Sequence, residues 1–387
     1  MEIVYLNRTS RILGGHQWVF SNELAVSPKG FDPGTIVELR DRRDNFLGIG
    51  YINPNSLISV RILTRRREPI DQGFFRRRIL DALRYRKRFL NEENSFRVIF
   101  SEGDFLPGII VDKYDKCLSI QLLTAGMDRL SGVIIPVLEE VLSPSVIVLR
   151  NDSSSRLLEG LKQEKMVIKG SIDELPLIHE DSLSLEIDPF SGQKTGFFLD
   201  QRENRKAFSE LIVEGKGLDL FCYSGAWSLH LARRGAHVTG VDESGNAVSQ
   251  CMKNAALNNL SEHCKFIKAD VFLFIRAQVS GPERYDFIVL DPPAFVKSKA
   301  KLKEGTRGYR EVNANAMRLL KQGGLLATSS CSHHLAREQF IEMLSAAARD
   351  AGRQVKILEL RSQARDHPVI LSMPETEYLK CAFLEVE

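Results

Sequence analysis

Cysteine is scarce. The 387-residue sequence holds six, at positions 117, 222, 251, 264, 331 and 381, and no two form a Cys-x-x-Cys pair. That excludes a disulfide scaffold and argues against a structural zinc site. No apolar run reaches the ~18 residues that a membrane-spanning helix needs. The stretch Met1 to Ser10 carries Arg8 and polar side chains but no apolar core, so no secretory leader is expected. A reducing cytoplasm fits these features. Internal repeats and low-complexity tracts are missing. So is the Gly-x-Gly-x-x-Gly loop that lets backbone amides approach a pyrophosphate, which argues against a nicotinamide or flavin site. What remains is ordinary globular composition, 43% hydrophobic and 27% charged. The length suits two or three domains.

Net charge is also low, +3, but it is unevenly spread. Residues 1–97 hold 18 basic and 11 acidic side chains, a net +7, and the rest of the chain is net −4. The excess concentrates in Arg65-Arg66-Arg67, Arg76-Arg77-Arg78 and Arg84 through Arg88. Arginine's planar fork suits phosphate, so this segment points to a polyanion such as nucleic acid. The plainer reading is a solvated helix face whose arginines pair with Asp71, Asp81, Glu92 and Glu93.

The chain divides into three regions. Residues 1–68 read as a small β-barrel, with strands at Thr35 to Leu39, Phe46 to Ile52 and Ser56 to Leu63, punctuated by Gly14-Gly15, Pro33-Gly34 and Asn53-Pro54. Residues 69–185 begin with a basic helix, Pro69 to Asn91, and continue as an α+β region with a helix over Met127 to Leu142. Residues 186–387 alternate strand and helix from Gly217 to a last strand at Tyr378 to Glu385. Such alternation predicts an α/β fold with a doubly wound, mostly parallel sheet.

Ligands of such sheets bind beyond the carboxyl ends of the strands. The first strand runs through Asp219 into Phe221-Cys222-Tyr223-Ser224-Gly225, which supplies a tight turn but no diphosphate cradle. The second ends at Val241-Asp242-Glu243, where a carboxylate can accept both hydroxyls of a ribose. The third ends at Asp270, placed to receive an adenine amino group. Three acids on successive strand ends fit a nucleoside without phosphates and with a charged tail, which is S-adenosylmethionine. Each acid taken alone could merely cap the following helix.

The fourth strand ends in Asp291-Pro292-Pro293-Ala294-Phe295, where two prolines stiffen the mouth of the sheet. Methyltransferases acting on planar nitrogen heterocycles grip the base edge with such a loop. The fifth strand leads to Ser330-Cys331-Ser332-His333-His334. A cysteine just before a helix can be activated by the helix dipole. A thiolate is the nucleophile that C5 methylation of cytosine requires, because adding it to C6 makes C5 electron-rich. The bland alternative for Cys331 is a small buried hydrophobe. His333 and His334 read as structural.

Together these residues, with Gln193 to Arg202 and Gly15-His16-Gln17-Trp18-Val19-Phe20, resemble the bacterial large-subunit ribosomal RNA cytosine-5 methyltransferases with an N-terminal PUA domain. The likeness covers nearly the whole chain. It implies a Rossmann-like class I methyltransferase domain behind a PUA barrel and a mixed α+β middle domain. It implies Cys331 as nucleophile and Asp291 as the base-contacting acid, also bordering the cofactor. Asp219, Asp242 with Glu243, and Asp270 match cofactor acids, and Phe221, Tyr223 and Gly225 the cofactor loop. Thr195, Gln201 and Arg202 belong to a segment that folds over the cofactor. The implied partner is structured 23S ribosomal RNA, and the family allows a homodimer. Other RNA cytosine-5 methyltransferases carry a second cysteine after the prolines, whereas Ala294 and Phe295 stand here. Two further readings remain open: a base-nitrogen methyltransferase acting on guanine, and a non-catalytic RNA-binding assembly factor.

Overall fold

The computed structural model describes residues 1–90 and 93–387. The chain folds as two units, one built from residues 1–178, 187–197 and 365–376, the other from 179–186, 198–364 and 377–387.

The first unit contains two five-stranded sheets. In the N-terminal sheet, Thr35–Asp41, Phe46–Ile52 and Val60–Thr64 pair in sequence, flanked by Glu2–Leu6 and Trp18–Val19. Val4, Val37, Leu39, Ile52 and Val60 fill its core. The third expected strand starts at Val60 rather than Ser56, because the Asn53 turn continues through Ser56, whose amide donates to the Asn53 carbonyl. The basic helix spans Gln72–Arg86, shorter than expected at both ends. Asp71 caps it by accepting from the Phe74 amide at 2.9 Å, so Pro69 lies outside. Asn91 and Glu92 lie outside the described residues.

Its arginines divide into two kinds. Arg86 is buried, and its guanidinium donates to both oxygens of Asp104 at 2.7 Å, so it is a core ion pair rather than a phosphate contact. Arg65, Arg66, Arg67, Arg77, Arg84 and Arg88 are exposed. Arg84 pairs with Asp81 and Arg77 with Glu68, but exposed pairs are worth at most about 1 kcal/mol and exchange readily for a phosphate.

The second sheet of this unit orders Glu164–Lys169, Val146–Asn151, Cys117–Leu122, Ile109–Tyr114 and Ser95–Phe100. The expected helix over Met127 to Leu142 is two, Ala125–Arg129 and Ser131–Leu142, broken at Leu130.

The second unit is the Rossmann-like one. The strands of its main sheet are β1 (Lys216–Leu220), β2 (His237–Asp242), β3 (Cys264–Lys268), β4 (Tyr285–Leu290), β5 (Leu320–Ser330), β6 (Val355–Arg361) and β7 (Lys380–Val386). They are ordered β3-β2-β1-β4-β5-β7-β6. β1 to β5 run parallel, and β7 runs antiparallel between β5 and β6. Six helices accompany them: α1 (Arg202–Glu210), α2 (Ala226–Ala232), α3 (Gly245–Leu257), α4 (Val271–Val279), α5 (Leu302–Leu319) and α6 (Arg337–Ala351). Leu218, Leu220, Ile288, Leu290, Tyr309, Leu326 and Leu384 share one buried core. Strand order switches direction beside β1 and β4, which is where such sheets open a crevice. Among the described residues, no helix is long and apolar enough to cross a membrane.

Candidate active site at the carboxyl ends of the strands

The turn after β1 is wound tightly. Phe221, Tyr223 and Gly225 have φ of +67°, +47° and +81°. Left-handed backbone costs a non-glycine residue about 1–2 kcal/mol, and such strain collects at functional sites. A side chain at position 225 would also press on Cys251. The turn is anchored to β2: the Phe221 amide donates to the Val241 carbonyl at 2.9 Å, and the Tyr223 amide donates to Asp242 Oδ2 at 3.0 Å. The Ser244 amide donates to Asp242 Oδ1 at 2.9 Å. Asp242 is thus fixed by two backbone donors, and each oxygen keeps a lone pair for a ligand hydroxyl. Glu243 beside it is exposed. Asp270 caps α4, its Oδ1 accepting from the Leu273 amide at 2.9 Å, so its other oxygen is the one available to a ligand.

Asp219 on β1 is completely buried. Its Oδ2 accepts from the Ser228 hydroxyl at 2.6 Å and amide at 3.0 Å, whereas Oδ1 is buried without a hydrogen-bond partner. Burial pushes its pKa up to about 7, and the charges of Asp291 and Asp242 add to the rise against the Ser228 hydrogen bonds. An orphaned buried carboxylate oxygen among other acids fits a cationic ligand group.

Asp291 follows β4. Trp227 Nε1 donates to its Oδ2 at 3.1 Å and Gln201 Nε2 to its Oδ1 at 2.8 Å. Gln201 Nε2 also reaches Ser329 Oγ at 3.0 Å, while its own carbonyl accepts from Asn204 at 2.7 Å. Burial pushes Asp291 up to about 6 despite these donors. Phe295 packs on Tyr309, Phe272 and Phe221, with ring centroids 4.6, 5.6 and 6.1 Å away.

Cys331 lies directly beyond β5 and is half-buried. The next residue ties this end of β5 to the Asp291 loop: Ser332 Oγ accepts from the Val296 amide at 3.1 Å and lies 2.9 Å from the Tyr309 hydroxyl. The helix expected next to Cys331 does not begin there. Ser332 to Ala336 intervene before α6 opens at Arg337, and a helix dipole acts only near its first turn. Lys380, at the start of β7, reaches the residue after the cysteine, its Nζ donating to the Ser332 carbonyl.

The second unit therefore brings Gln201, Asp219, Phe221, Tyr223, Gly225, Asp242, Glu243, Asp270, Asp291 and Cys331 to the carboxyl side of one sheet, with Arg202 opening α1. Thr195 belongs to the first unit, where its hydroxyl donates to Asp112 at 2.5 Å. Sequence reasoning missed Trp227, Ser228, Asn204 and Lys380. Ser228 and Trp227 carried one signal, their place in the first turn of the helix that follows the strained loop.

A PUA-like domain model matches residues 4–65, and a methyltransferase domain model matches residues 213–370. Curated relatives match over 94–99% of the chain. Ribosomal RNA large subunit methyltransferase I of Shewanella amazonensis is 39% identical over 372 residues, covering 94% of each chain. The protein of the same name from Pseudoalteromonas translucida is 38% identical over 385 residues, covering 97% of each. Among solved structures, one determined in complex with SAH superposes with a TM-score of 0.86 at 20% identity, covering 99% of both chains. At that identity the superposition speaks for the fold alone.

Proposed function

Because the chain belongs to the ribosomal RNA large subunit methyltransferase I family, we propose that this S-adenosylmethionine-dependent ribosomal RNA methyltransferase methylates C5 of a cytosine, with Cys331 as the nucleophile. The observation that carries the reading is the coupling of two strand ends. Gln201 bridges Asp291 and Ser329, and Ser332 binds the Val296 amide, so Cys331 and the Asp291 loop form one framework. We assign the exposed arginines of the first unit to RNA phosphates, and Arg202 and Glu243 to the border of the cofactor site.

S-adenosylmethionine supplies an electrophilic methyl group on a sulfonium centre. Asp219, with its orphaned oxygen, would face the ligand's positive charge. Asp242 would hold the ribose hydroxyls, and Asp270 the adenine amino group. Cys331 then adds to C6, its electron pair forming the S–C6 bond. The C5=C6 pair shifts toward C5, and Asp291, with a pKa near 6, can hold a proton at the N3 edge of the base. After C5 takes the methyl group, a base removes the C5 proton. The freed pair restores C5=C6 as the S–C6 pair returns to sulfur. The cytosine must leave its stack to reach Cys331, at a cost of a few kcal/mol.

The test uses labelled S-adenosylmethionine and unmodified 23S ribosomal RNA, followed by digestion and mass spectrometry. 5-Methylcytidine is the expected product. A methylated guanosine would instead assign base-nitrogen chemistry to the same scaffold.

Cofactor affinity is also expected to depend on pH. A cation favours ionised Asp219, whose pKa without ligand is about 7. Binding then releases a proton below that pH. Affinity should rise as pH rises through 7, level off above it, and fall about tenfold per unit below it. Calorimetry between pH 5.5 and 8.5 measures this. A flat profile in the wild type would remove Asp219 from the charge contact.

A further inference from the structure

Parallel strands bring their carboxyl ends to the reacting side of the sheet, and β7, being reversed, brings its amino end. Its first residue is Lys380, in register with Ser330 of β5, one residue before Cys331. Lys380 is only 5% exposed. Its Nζ donates to the Ser332 carbonyl at 2.6 Å and the Tyr378 carbonyl at 2.9 Å. A lysine so buried normally has a carboxylate partner. Here both hydrogen bonds go to neutral carbonyls, one from the residue following Cys331, and an ammonium has a third donor to give. The other charged groups facing it are Glu377 and Arg337, which form an ion pair with each other. Tyr309, on the Ser332 hydroxyl, has its pKa raised by burial and by Cys331, and stays neutral at working pH. His333 stacks on Tyr378 at 5.4 Å. The balance leaves an ammonium with no carboxylate hydrogen-bonded to it, tied to the carbonyl of the residue that follows Cys331.

We propose that Lys380 is a positioning residue for Cys331, supplying the charge that holds the sulfur as a thiolate both before it adds to C6 and when it departs. The role rests on Cys331 being the nucleophile. The thiol proton goes to solvent, and the ammonium keeps its three protons throughout. The sulfur's electron pair forms the S–C6 bond and returns to sulfur when that bond breaks. Burial pulls the lysine's pKa down to about 8, while the negative charge of Cys331 works to raise it. The device therefore operates below about pH 8, where the ammonium persists.

The test is the pH profile of Cys331 alkylation by iodoacetamide, read from the Cys331 peptide by mass spectrometry in the full-length protein. The wild-type midpoint should lie at least one pH unit below the ~8.5 of a free thiol. Lys380→Met should raise it by at least one unit and slow alkylation at pH 7 about tenfold, whereas Lys380→Arg should leave it low. A wild-type midpoint at or above 8.5 would overturn the proposal without any variant, as would an unchanged midpoint in a folded Lys380→Met protein. Alkylation needs no RNA, so this outcome is separate from the product nucleoside that decides the C5 reading.

Discussion

Cys331→Ala is expected to lower methyl transfer to ribosomal RNA at least a thousandfold while leaving S-adenosylmethionine affinity within about twofold. Losses of that size follow removal of a covalent nucleophile, because no other group can share the step. Affinity should survive because the proposed cofactor contacts lie elsewhere. Asp219 sits on β1, Asp242 and Asp270 follow β2 and β3, and their hydrogen bonds are made without Cys331. The anchors beside the cysteine also remain, since Ser332 keeps Val296 and Tyr309. Equilibrium dialysis and a single-turnover transfer assay separate the two effects. Lost cofactor affinity would make Cys331 structural, and a near-normal rate would favour nitrogen chemistry.

Much of the second unit was legible because its strands are short apolar runs that end in acids. The fourth strand, Tyr285–Leu290, ends directly before Asp291 as expected, and the acids fall at strand ends where a ligand would meet them. Other features left no local trace. Glu164–Lys169 is an edge strand exposed along its length, so it has no buried alternation to detect. Helix α5 begins at Leu302 and carries Gly305 and Gly308 inside it, where glycine gives no local helix signal. Gly305 is a packing glycine: a Cβ there would come within 2.7 Å of the Phe295 backbone. The expected last strand, Tyr378 to Glu385, begins at Lys380, and nothing local showed that it runs backwards. That reversal is what brings a lysine to Cys331. A linear division into 1–68, 69–185 and 186–387 likewise has no way to express that residues 365–376 belong with the first unit. The acidity of Asp219 could be read, but its orphaned oxygen is a fact of packing alone.

Arg205→Met should cost about 3–5 kcal/mol of stability at pH 7 and lower methyl transfer as well. Arg205 on α1 donates to Glu180 through Nε at 2.7 Å and Nη2 at 2.6 Å, and both side chains are 2% exposed. His230 Nε2 lies 2.8 Å from the same carboxylate. Burial alone would raise the Glu180 pKa, but Arg205 and His230 outweigh it and hold it well below the usual range. A carboxyl so depressed stabilises the fold fully above its unfolded pKa of about 4.3, and that contribution is lost as pH falls through the folded value. Removing Arg205 leaves a buried carboxylate that prefers to be protonated. The deficit should therefore be largest near neutral pH and shrink in acid. A Glu180→Met, Arg205→Met double variant should lose less than the sum of the two single changes, because it strands no charge. Urea unfolding at pH 7 and pH 5 reads both effects, and additive losses would mean that the two residues do not act as a pair. The rate should fall because Arg205 Nη1 also donates to the Phe198 carbonyl at 3.0 Å. That bond fixes the turn that carries Gln201 to Asp291 and Ser329. Stability and catalysis thus meet on one helix, whose buried arginine holds the glutamine that aligns the two reacting strand ends.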